Sequence, residues 1–100
     1  MTARVILAVA LVFAQTASPT PASETGAEIY QRYCEICHGA DGRPNLPSTP
    51  DFTRGEGLLK SDQELVNSLR FGVGSMPGFE HQLDKKGFID VIFYIRSLQR

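Results

Sequence analysis

Along the chain, apolar positions fall into one unbroken run and three periodic stretches. Val5 to Ala14 is continuous. Ile29, Tyr30 and Tyr33, then Leu65, Val66 and Leu69, then Phe88, Val91, Ile92, Ile95 and Leu98, recur every three or four residues, the spacing that puts side chains on one face of a helix. Polar residues mark where these helices begin. Thr25 with Glu28, and Ser61 with Glu64, each set a hydroxyl three residues before a carboxylate, the pattern of a capping box, and Asp84 caps the last stretch. Asp62 and Glu64 also meet the positive end of the second helix dipole, and Gly72 stops that helix. Period-two alternation is absent, so no sheet is expected and there is no internal repeat. The pattern predicts an all-α chain of three to four short helices, the last and most apolar being the main core partner.

The unbroken run is a different kind of segment. Met1 to Arg4 give it a short positive start and Ala14 a small residue at its end, which reads as a secretory signal cut after Ala14, Ala17 or Ala22. Its ten residues are about half the roughly 20 needed to span a bilayer. Residues 15–25, rich in Ser, Thr, Pro and Ala, have little to bury and read as a flexible leader. Residues 26–100 are then the domain. The expected location is periplasmic or otherwise exported, with no stable membrane insertion after cleavage. Removing Arg4 leaves nine basic against eleven acidic residues, a formal charge of about −2, too near neutral to suggest nucleic acid as a partner. About 86 residues make a marginal side-chain core, one that a bound apolar cofactor would complete.

Both cysteines of the chain lie in Cys34-Glu35-Ile36-Cys37-His38. On one helical turn the two thiols and the imidazole emerge from the same face, the arrangement of a covalent haem attachment site: two thioethers along one edge of the ring and a histidine beneath the iron. A disulfide or a thiol redox pair uses the same two cysteines, but a thioredoxin-like motif expects βαβ units. Structural zinc takes four ligands, and His81 is the only further histidine, with no third cysteine.

Gly39 to Pro50 contains Pro44, Pro47 and Pro50 and can hold neither a regular helix nor a central strand. Such a loop can supply the carbonyl that accepts the Nδ1 proton of His38, and the Pro50 region is the candidate. Farther on, Met76 sits in Gly74-Ser75-Met76-Pro77-Gly78-Phe79, with glycines freeing the backbone on both sides and Pro77 holding it extended. A lone methionine is ordinarily core filling, but with an attached haem upstream it becomes the candidate sixth ligand. Lys85 and Lys86, in the first turn of the last helix against its dipole, read either as solvated lysines or as part of an encounter surface.

From Gly26 to Leu98 the chain resembles the class I c-type cytochromes, small monohaem electron carriers. The resemblance rests on Gly26 with Tyr30, on Cys34 to His38, on Met76-Pro77 and on Val91-Ile92-Phe93-Tyr94-Ile95, in that order. It implies a cytochrome c-like fold wrapped around one covalent haem c, with iron between His38 and Met76. It further implies that Gly26 and Tyr30 meet Val91 and Tyr94 where the first and last helices cross. Pro50-Asp51-Phe52 resembles the segment whose proline carbonyl takes the His38 proton and whose next apolar side chain packs on the ring. Two departures stand out. Only 38 positions separate His38 from Met76, so the loops over the haem edge are short, and no tryptophan is available to a haem propionate. Arg54, Arg70 and Tyr94 are the candidates in its place.

The leading expectation is an electron-transfer protein with both axial positions filled, working between redox partner proteins: a reductase and an oxidase, or a dehydrogenase complex. A haem-bearing electron-entry subunit of a larger complex fits the same residues. A peroxidase-like enzyme would need a labile sixth position, and His81 is the only distal base the sequence offers.

Overall fold

A computed structural model describes residues 2–12 and 24–100. Residues 2–12 carry no regular structure and their apolar side chains are exposed. The rest of the expected leader, residues 13–23 and with them the three cut positions, lies outside the described residues. Four helices follow: α1 Gly26–Tyr33, α2 Glu35–His38, α3 Asp62–Phe71 and α4 Lys85–Ser97, with a 3-10 turn at Phe52–Arg54. The only extended pairing among the described residues is an isolated bridge between Val73 and Met76. The all-α expectation holds, and no helix among these residues is long and apolar enough to cross a membrane.

The caps explain the helix starts. Ser61 and Glu64 form the full reciprocal box, each side chain meeting the other's backbone N–H. Thr25 makes only half of one: its Oγ1 accepts from the Glu28 N–H at 3.2 Å, while the Glu28 carboxylate takes the Thr25 hydroxyl at 3.0 Å instead of a backbone donor. Asp84 accepts from Gly87 N–H at 2.8 Å. Lys85 and Lys86 open α4 as expected. Lys86, largely exposed, also pairs through its Nζ at 2.5 Å with Asp90 one turn on, which relieves its misfit with the helix dipole.

α1 crosses α4, and α3 packs on α4 from another side. The crossing needs a glycine: a Cβ on Gly26 would stand 2.2 Å from the Asp90 carbonyl oxygen and 3.1 Å from the Tyr94 Cβ. Tyr30, fully buried, tilts its ring against Tyr94 at 5.2 Å between centroids. The expected meeting of the first and last helices is thus present, with the Asp90 backbone and Tyr94 as the neighbours of Gly26. Ile29, Val66, Leu69, Phe88, Val91, Ile92 and Ile95 complete a core in which each fully buried aliphatic contributes about 1.5–3 kcal/mol.

Tyr30 does a second thing that the apolar pattern does not announce. Its hydroxyl donates to the Gly39 carbonyl at 2.6 Å, inside the protein, tying α1 to the residue that ends α2. Burial pushes its pKa well above the usual tyrosine value, with nearby Cys34 adding to the effect, so the hydroxyl stays a donor.

Candidate functional site

α1 and α2 are nearly one helix, broken at Cys34. Cys34 closes α1 through its N–H to the Tyr30 carbonyl and then caps α2, whose single turn brings Cys37 and His38 round beside it. Both cysteines are free thiols. Cys34 is buried, and its pKa is pushed up to about 11 by desolvation first and by neighbouring Cys37 second. A thiol redox cysteine is ordinarily shifted the other way. Among the described residues no three His, Cys, Asp or Glu side chains gather as a metal cluster.

The motif opens onto a cavity of about 510 Å³, inside the range of roughly 300–1,000 Å³ expected of cofactor sites. Cys34, Cys37, His38, Pro50, Phe52 and Met76, the six residues singled out from the sequence, all line it. Leu58, Leu65, Leu69, Ile92 and Ile95 give it an apolar wall drawn from the loop before α3, from α3 and from α4. Exposed Ile36 and Val73 line it too, so it opens to the surface.

His38 is held on two sides. Phe52 lies flat against its ring, 4.5 Å between centroids and 12° between planes, so Phe52 supports the imidazole as well as the cavity wall. Phe52 is fixed in turn by its N–H to the Gly42 carbonyl at 3.0 Å, and the neighbouring turn is pinned by the Asp51 carboxylate on Thr53 N–H at 2.9 Å. Burial lowers the His38 pKa, and the Pro50 carbonyl, close enough to act on the ring, works against that. A closed hydrogen bond is not formed: Nδ1 is buried without a partner. The Pro50 carbonyl thus lies near the ring without a hydrogen bond to Nδ1.

Met76 stands on the loop between α3 and α4. Its N–H and C=O pair with those of Val73 at 2.9 and 3.1 Å. Gly78 presses the returning chain against α3, where a Cβ would come within 2.5 Å of the Arg70 carbonyl oxygen. Gly74 has open space around it but a φ of +55°, so its backbone conformation favours glycine, whereas Gly78 is required by packing. His81 is exposed and lies away from the cavity, beside Glu24, Asp84 and Asp90 in a separate shallow groove.

The candidate propionate partners stand outside the cavity wall. Neither Arg54, Arg70 nor Tyr94 lines the cavity. Arg70 is engaged by Glu80, and Tyr94 packs on Tyr30 at the helix crossing. Lys60, Ser48 and Thr49 are the polar groups in the wall beside the Pro50 segment. Also unforeseen is an aromatic pair in the wall, Tyr33 against Phe79 at 5.5 Å. Position offers a signal for that pair, since Tyr33 precedes the first cysteine and Phe79 follows the Met-Pro-Gly turn. Lys60 has no such signal.

Two free thiols, an imidazole and a thioether around one apolar cavity are the donor set of a c-type haem, and the fold, motif and cavity together define a class I c-type cytochrome. Residues 21–95 match the family model described as cytochrome C oxidase, cbb3-type, subunit III, and the chain belongs to that family. A solved structure titled KustC0563 c-type cytochrome shares the fold, with a TM-score of 0.68 and 21% identity over 77% of this chain and 100% of that one. No curated protein matches the chain. The family carries covalently bound haem c and works in haem-based electron transfer, exchanging electrons with redox partners.

Proposed function

We propose that this chain is an exported one-electron carrier in which Cys34 and Cys37 bind the haem as thioethers and His38 and Met76 hold iron from its two faces. The observation that carries this reading is that all four side chains, from two separate segments, line one apolar cavity. Haem c, when bound, supplies reversible one-electron chemistry at iron. The protein's part is to hold it and to tune it. Phe52 fixes the plane of the His38 ring, and the Pro50 carbonyl is placed to accept the Nδ1 proton, which leaves Nε2 for iron and makes the imidazole a stronger donor. The Met76 thioether favours the reduced state and raises the potential, the more so because Leu58, Leu65, Leu69 and Ile92 exclude water from the wall.

His38 and Met76, both holding iron, would leave no site there for substrate, and His81, the residue that could serve a peroxidase-like reaction as a base, lies off the cavity. The short positive start and apolar run of residues 1–14 support export to the periplasm, where such a protein would act. The description of its family as an oxidase subunit favours a second form of the same reading, in which the domain passes electrons inside a larger oxidoreductase complex.

The test is spectroscopic. Ferric protein should show methionine-to-iron charge-transfer absorption in the near infrared, and it should vanish in Met76→Ala and persist in His81→Ala. A parent without the band, whose spectrum changes in His81→Ala and not in Met76→Ala, would move the sixth ligand to His81 and reopen the enzymatic reading. Native purification separates the free carrier from the complex subunit.

A further inference from the structure

Between Leu69 and Glu80 the chain leaves α3, runs out to Met76 and returns to where it left. The return is closed by four bonds at one place. Phe79 N–H donates to the Leu69 carbonyl at 2.7 Å and Glu80 N–H to the Arg70 carbonyl at 3.1 Å. Arg70 Nε and Nη2 then grip the two Glu80 carboxylate oxygens, each at 2.7 Å. Gly78 lies against the Arg70 carbonyl just inside this closure.

We infer that the Arg70–Glu80 ion pair is a clasp that shuts the loop bearing Met76, and so a positioning device for the sixth ligand of the haem iron. This rests on the reading of Met76 as that ligand. The two residues are ten apart, so the segment they constrain is the ligand loop. Its geometry is the two-bond form that gives an arginine–carboxylate pair direction as well as strength, and both side chains are about a third exposed, enough to be partly shielded from salt. Within the loop itself the Val73 and Met76 pair is the one backbone hydrogen-bonded pairing, Gly72 lies close against Met76 and Gly78, and Val73, Ser75 and Pro77 are exposed. Opening the clasp leaves the base of the loop held by the Phe79 and Glu80 backbone bonds alone, which eases its fraying and multiplies the conformations in which the Met76 sulfur is away from the iron. Arg70 touches neither cavity nor ligand; it acts through Glu80 and the loop.

The experiment compares holoprotein carrying Glu80→Gln, the exchanged pair Arg70→Glu/Glu80→Arg, and Asp90→Asn, which breaks the Lys86–Asp90 pair elsewhere on the surface. The readouts are the near-infrared methionine band on mild heating and the rate at which ferrous protein binds carbon monoxide, both followed beside helix content. Glu80→Gln should lose the band well before its helices melt and bind carbon monoxide about fivefold faster than the parent, on the scale of a partly exposed ion pair. The exchanged pair should recover part of both, and Asp90→Asn should match the parent. A parent that shows the band, with Glu80→Gln identical to it in band and rate, would overturn the clasp while leaving Met76 in place. So would a Glu80→Gln effect that the exchanged pair does not repair. A parent with no band removes the Met76 reading and the clasp with it.

Discussion

His38 sits on the single turn of α2, buried, with Phe52 stacked on its ring and the Tyr30 hydroxyl fastening the residue that follows it. Met76 sits midway along a loop, half-buried, its backbone paired only with Val73, and the loop is closed at its base by Arg70 and Glu80. The first residue is placed by the same contacts that make the core, so whatever displaces it also costs stability. The second is placed by contacts local to one excursion of the chain. The proposed ligand set therefore has a face that is as stable as the fold and a face that can yield on its own, and changes to the two sides should separate into losses of folding and losses of ligation.

The largest effect belongs to the His38 side. Cys34→Ala/Cys37→Ala should abolish acid-stable haem after periplasmic expression, and the apoprotein should be mostly unfolded by circular dichroism, because the cavity of about 510 Å³ leaves the core half-built. Native helix content without haem would break the link between ligand side and fold. Phe52→Ala should follow, costing about 3 kcal/mol in denaturant unfolding through lost packing, with loosened His38 as its spectral sign. Tyr30→Phe removes one buried donor and leaves the Gly39 carbonyl only the long bond from Gly42 N–H at 3.4 Å, for about 1 kcal/mol. On the other side, Pro77→Ala should change Tm least of all, since Pro77 is exposed, yet should weaken the methionine band more than Tyr30→Phe does. If it destabilised the fold as much as Phe52→Ala, the two faces would not differ in the way argued.

What the sequence made legible follows the same division. α1, α3 and α4 could be read because each pairs a polar cap with apolar residues at helical spacing, and the packing of Gly26 on α4 followed from a family resemblance carried by Gly26, Tyr30 and Tyr94. The six cavity residues were found because the Cys34 to His38 spacing is itself chemistry, and Met76 becomes informative only after it. The hidden contacts join residues through turn geometry that no periodicity reports. Tyr30 to Gly39 and Arg70 to Glu80 are of this kind, and so is Arg96, whose guanidinium reaches Asp62 and the carbonyls of Leu58 and Lys60 to hold the cavity's loop wall. Charge alone likewise does not show that Glu80 comes back beside Arg70. The half-formed cap at Thr25 is a smaller instance, since the motif fixes which residues pair but not which donor the carboxylate takes.

The difference between the two faces is tested most directly by carbon monoxide binding to the reduced protein, measured in the parent and in Met76→Ala together with their unfolding curves. The parent should bind carbon monoxide slowly or not at all. Met76→Ala should bind it readily at a lowered reduction potential while keeping its haem, its helix content and nearly all its stability. Ready binding by the parent, or a Met76→Ala variant that loses its fold along with its sixth ligand, would contradict the account.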